Sequence, residues 1–132
     1  MLVGFISIKN RIKVMELEKL REDVYFELKD RGCSIGILEV FTYNTLSRGP
    51  HPMMRMIFDR DNCYHYFVQI ESTSDNEDKR LNIHMYVKEL TLLPWMREVK
   101  SVFECKKLDS SDIARALVAY IFEIGENQLK ED

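Results

Sequence analysis

The chain has 132 residues, 45% hydrophobic and 31% charged, which is the size and composition of one globular domain and leaves no room for a second. Seven Phe, six Tyr and one Trp supply a core, while five Gly and three Pro exclude a fibrous or linker-dominated chain. Nineteen Lys plus Arg against twenty-two Asp plus Glu is far from the basic excess that captures phosphates, which argues against nucleic acid as a partner.

Residues 1–8 are apolar, but too short for a membrane span and without the preceding positive region of a signal peptide. Residues 1–13 read as an edge strand or a lead-in, and Met15 is a second candidate start because a complete domain reads from there. Across residues 14–31, Val14, Leu17, Leu20, Val24 and Leu28 recur at three- and four-residue steps among charges of both signs, the pattern of an amphipathic helix. Gly32 is placed to end it in a left-handed cap. The period then changes to two. Residues 37–43 are a β-branched and aromatic strand, and residues 44–52 are expected to form a loop, since Gly49, Pro50 and Pro52 suit no central strand.

A second strand is expected over 53–59, a tight turn over 59–62, and a third strand over 63–71, with Tyr64, Tyr66, Val68 and Ile70 on one face. Residues 72–79 are wholly polar and read as an exposed connection. A fourth strand over 80–89 points Leu81, Ile83, Met85 and Val87 inward. Residues 90–96 are densely apolar and broken at Pro94. Within 90–107 a fifth strand over 99–106 and a helix both remain open. Asp109 to Asp112 supply a cap and first-turn carboxylates for a helix over 111–127, with 128–132 a frayed acidic tail. The fold class expected is α+β, one domain over 1–132. An antiparallel sheet of four to five strands is packed on one face by an N-terminal and a C-terminal amphipathic helix.

The C-terminal helix carries only Arg115 and Glu123 as charges between Ile113 and Ile124, so apolar residues wrap most of its circumference. A stripe of about 100° suffices for a one-sided helix. Ile113, Leu117, Tyr120, Ile121 and Ile124 fill that stripe and leave Ala114, Val118 and Phe122 over. Either the extra side meets the first helix or the Trp95 region, or Ala114, Val118 and Phe122, with Trp95, form a surface for self-association or another protein. Arg48, His51 and Met53, beside the proline-rich loop and the Met run, are a second candidate, an edge for a peptide or ligand.

Catalytic chemistry finds little footing. Cys33, Cys63 and Cys105 are odd in number, lack C-x-x-C spacing, and read as thiols kept reduced in a cytosol. Glu104-Cys105-Lys106 is an E-x-K tripeptide of the kind metal-dependent nucleases and phosphodiesterases place on a strand. Mg²⁺ there would need another carboxylate from Asp59, Asp61 or Glu89. His51, His65 and His84 have no ligand spacing, although His65 and His84 fall on neighbouring strands. Tyr43, Tyr64, Tyr66 and Tyr86 lack the glycine-aromatic motif of a base-stacking platform and read as core and cross-strand pairs. There is no G-x-S-x-G, P-loop, dinucleotide-binding glycine pattern or H-E-x-x-H, and no cofactor or metal is called for.

The order of a helix, three strands, further strands and a C-terminal helix resembles the architecture of type III secretion chaperones and related small dimeric α+β proteins. A polar segment, 72–79, stands where those proteins have a middle helix, and no motif matches residue by residue. The function expected is that of a cytoplasmic, non-enzymatic protein-binding module, an adaptor, chaperone-like protein or inhibitor, binding another protein or itself as a homodimer.

Overall fold

A computed structural model describes residues 8–45, 49–72, 79–89, 96–105 and 111–130. The order is α1 (Ile8–Asp30), β1 (Ser34–Thr45), β2 (Gly49–Arg60), β3 (Tyr64–Ser72), β4 (Lys79–Glu89), β5 (Arg97–Cys105) and α2 (Ser111–Lys130). The strands form one antiparallel sheet in the order β1-β2-β3-β4-β5. The α+β class expected from the alternation is therefore present, with five strands, and residues 97–105 are strand rather than helix.

Helix α1 buries Leu17, Leu20, Val24 and Leu28 at the three- and four-residue spacing that puts them on one side. It stops where Gly32, at φ 79°, takes the left-handed conformation. The Gly32 N–H donates to the Lys29 carbonyl and the Cys33 N–H to the Leu28 carbonyl, both at 3.0 Å, so two orphan carbonyls of the last turn are satisfied. The helix begins upstream of the expected residue 14. Residues 8–13 are thus helical rather than an edge strand, while residues 1–7 lie outside the described residues.

The prolines do not confine residues 44–52 to a loop. Residues 44 and 45 belong to β1 and 49–52 to β2, while 46–48 lie outside the described residues. The pairing explains how the prolines fit. Among the described residues β3 accompanies β2 only from Met53 onward, and the strand paired with Pro50 and Pro52 is β1. Two residues apart, they turn their backbone to the same side, and a strand with one open side tolerates missing N–H groups there. The β2–β3 turn matches its sequence more closely. Asp61 and Asn62 both have positive φ, 56° and 53°, and the Cys63 N–H donates to the Arg60 carbonyl at 3.0 Å. Asp and Asn are among the few residues that accept the left-handed conformation such a reversal requires.

The core lies between one face of the sheet and the two helices. Met54, Met56, Phe58, Tyr66, Val68, Ile70, Leu81, Ile83, Met85 and Val87 point into it from alternate strand positions. Helix α1 packs on β1 and β2, α2 on β4 and β5, and the helices pack on each other. That third contact corrects the reading of α2 as a partner surface. Ala114, Val118 and Phe122 are buried with Leu117, Ile121 and Gly125, because a helix with both a sheet and another helix as neighbours buries a wider arc than a single stripe. Phe122 is 5% exposed, near Phe58 and Tyr66, with the guanidinium of Arg60 4.1 Å and that of Arg31 5.4 Å from its ring centroid. Arg60 also pairs with Glu126. Burial works against the Arg60 charge, and the neighbouring Glu126 carboxylate and Tyr66 hydroxyl outweigh it, leaving the pKa above its ordinary value. Burial pushes the Tyr66 hydroxyl and the Cys33 thiol up as well. The helix continues past the expected 127 to Lys130, with Leu129 against the core, so 128–130 are helical, while 131–132 of the expected frayed tail lie outside the described residues.

At Gly125 α2 lies close against the sheet. A Cβ there would lie 2.9 Å from Tyr66 Cε2 and 3.2 Å from Met85 Cε. Tyr66 cannot readily retreat, since its ring is stacked on Phe58 with centroids 4.8 Å apart. Gly125→Ala is therefore expected to destabilise the fold by about 1–3 kcal/mol, as overpacking does, despite the better helix propensity of alanine. Urea denaturation measures this, and an unchanged or raised midpoint would contradict the packing described.

Candidate functional site

With both helices on one face, the other face of the sheet is covered by no described element. Strand alternation sends every second residue there. The antiparallel register then lines those residues up in rows that cross the strands. One row is Ile37, Ile57, Phe67, Tyr86 and Glu98, apolar until its last member. The next is Glu39, Arg55, Gln69, His84 and Lys100, polar throughout. The third is Phe41, Met53, Glu71, Asn82 and Val102.

Two adjoining concavities follow these rows. One, of about 400 Å³, is bounded by Arg55, Ile57, Phe67, Gln69, His84, Tyr86 and Met96. The other, of about 430 Å³, is bounded by Met53, Gln69, Glu71, Asn82, His84, Lys100 and Val102. Gln69 and His84 belong to both, so the two form one shallow groove across the strands, with polar residues along its middle, an apolar strip on one side and a mixed one of Met53, Glu71, Asn82 and Val102 on the other. Such a groove supplies contact area together with a few orienting polar groups.

The polar residues are held in place. Arg55 lies 4.6 Å from the Phe41 ring centroid, with Nη1 3.5 Å from Glu39 Oε1, and its enclosed Nε has no hydrogen-bond partner among the described residues. Glu98 Oε2 accepts the Tyr86 hydroxyl at 2.8 Å and lies 3.1 Å from His84 Nε2. The Tyr86 hydrogen bond, then His84, holds the Glu98 carboxyl below the ordinary carboxylate range, and the same bond raises the Tyr86 hydroxyl. His51 is enclosed on this face, edge-on to Tyr43 and with Nε2 3.6 Å from Glu71 Oε1.

The candidates from sequence separate accordingly. His51 and Met53 lie in β2 on the open face, and Met53 forms part of the groove wall, while Arg48 and Trp95 are outside the described residues. Glu104 sits at the end of β5, exposed, with Arg80 Nε at 3.4 Å, and Lys106 is outside the described residues. The carboxylates an E-x-K centre would need do not converge on it. Glu89 is at the opposite end of β4 from Arg80, about 30 Å away at the rise of a strand. Asp59 is at that far end too, paired with His65. His65 and His84 share the open face but sit four residues apart in register, about 13 Å, each with its own carboxylate. Among the described residues no group of three His, Cys, Asp or Glu side chains is placed to hold a metal.

Among the groove residues missing from the sequence-based candidates are Ile57, Phe67 and Tyr86. The signal was available: the alternation that turns His65, Gln69 and Glu71 outward turns Phe67 outward with them, and Tyr86 falls likewise between His84 and Lys88. Among the described residues no helix is long and apolar enough to cross a membrane. Compared with known proteins, the chain matches no family model, no curated protein and no solved structure.

A carboxyl whose pKa is lowered in the folded state stabilises that state above its unfolded pKa, and the contribution disappears as pH falls through the lowered value. The Glu98 side-chain carbon, followed by NMR, should titrate below the ordinary carboxylate range, and Tyr86→Phe should move the midpoint upward. A midpoint unaffected by Tyr86→Phe would show that the hydroxyl does not hold the carboxylate.

Proposed function

We propose that this chain is a non-enzymatic protein-binding module of the cytoplasm, an adaptor, chaperone-like protein or inhibitor, that acts as a homodimer and receives a segment of another protein on its open sheet face. The observation that carries this reading is the pair of rows on that face. Ile57, Phe67 and Tyr86 form an apolar strip beside a polar strip of Arg55, Gln69 and His84, and no described element covers either. Aromatic, Met and Arg side chains are the types enriched where proteins meet. An extended segment lying along the groove would bury alternate side chains against the apolar strip and offer polar groups to the other.

Photocrosslinking followed by affinity measurement tests this. A photoreactive residue at Phe67 or Tyr86 should join the chain to a protein that one at Glu22, on the outer side of α1, does not reach. With that protein purified, Ile57→Asp and Tyr86→Glu should each weaken binding by roughly tenfold or more, about 1.4 kcal/mol, without altering the circular dichroism spectrum. Adducts confined to Glu22, or affinities unchanged in both variants, would refute the assignment of the open face.

A further inference from the structure

The two edges of the sheet are built differently. β5 carries Arg97, Glu98, Lys100 and Glu104 among its nine residues, the charge pattern that keeps a free edge from pairing with another strand. β1 is twelve residues long, pairs only with β2 among the described strands, and carries one charged residue, Glu39. Half of its residues, roughly six, turn N–H and C=O groups away from β2, a row of donors and acceptors without a described strand to meet them. Ile37 and Tyr43, on its open face, are exposed, Tyr43 by 51%. Each lacks the cross-strand neighbour that one more strand would supply.

We infer that β1 is the edge through which two copies of this chain assemble, pairing antiparallel about a twofold axis to join two five-stranded sheets into one of ten. The inference rests on the homodimer reading above, not on what the groove binds. The occupant follows from the strand itself. A bulge at Gly36, where the register shifts between Ile35 and Ile37, interrupts the first part of β1 and leaves 37–45 as its regular stretch. The midpoint of that stretch is Phe41. With Phe41 on the axis, Glu39 of each copy lies opposite Tyr43 of the other, so the strand's single charge meets a hydroxyl and never its own kind. A twofold pair also matches each outward N–H with an outward C=O by symmetry. The row that ends at Phe41 is thereby carried on into the same row of the second copy.

Sedimentation equilibrium tests the inference, with hydrogen exchange as an independent readout. The wild-type chain should reach the dimer mass by about 100 µM, with the amides of 37–45 becoming slower to exchange as concentration rises. Thr42 and Asn44 are exposed, so Thr42→Lys/Asn44→Lys should leave the circular dichroism spectrum unchanged while raising the dimer dissociation constant by roughly tenfold or more. Val102→Lys, on β5, should not. A wild-type monomer at that concentration would overturn the inference while leaving the groove reading untouched. So would a dimer that survives the double lysine and is lost in Val102→Lys or in Tyr86→Glu, which would place the second copy on the β5 edge or on the open face.

Discussion

Both helices lie on the same side of the sheet, and the contact between them determines how the rest of the chain is used. Phe122 stands at that junction, against Phe58 and Tyr66 and beside the cations of Arg31 and Arg60. Gly125, one turn further, lets α2 come down onto Tyr66. Apolar side chains from both helices and from alternate positions of the strands close this space, each worth about 1.5–3 kcal/mol in removal from water. What they leave is a sheet with one face dry and the other unclaimed by any described element.

The unclaimed face acquires its pattern from pairing. The tight turn at Asp61 and Asn62 sets β2 against β3 so that Ile57 meets Phe67, and the next two pairings add Tyr86 and Glu98. A slip of one residue anywhere in this register would exchange the faces, sending Phe67 into the core and Tyr66 out. The same packing that protects the core therefore keeps an apolar row in contact with solvent, next to a row that can donate and accept hydrogen bonds. Several ionisable groups of the face are matched in pairs, Glu39 with Arg55, Glu71 with His51 and Glu98 with His84, and the proposed role rests on contact along these rows.

Much of the fold was legible because its signals are local. The three- and four-residue recurrence from Leu17 to Leu28, the left-handed Gly32, the Asp61-Asn62 turn and the alternation of Leu81, Ile83, Met85 and Val87 each depend on a few neighbouring residues. The readings that needed correction depend on a distant partner. The wide apolar arc of α2 looks the same in sequence whether it faces a foreign protein or α1, and Ala114, Val118 and Phe122 are buried because α1 is there. Pro50 and Pro52 look like loop residues until their pairing with Asn44 and Thr42 of β1 is seen. The groove was hidden for the same reason. Ile57, Phe67 and Tyr86 are far apart in the chain, and only the strand register makes them neighbours.

The division of the apolar residues into a buried set and an offered set can be measured directly by comparing Phe122→Ala with Tyr86→Ala in urea denaturation. If one face alone makes the core, Phe122→Ala should cost about 3–5 kcal/mol and Tyr86→Ala no more than about 0.5 kcal/mol. Comparable losses from the two substitutions, or a Phe122→Ala protein as stable as the wild type, would contradict that division.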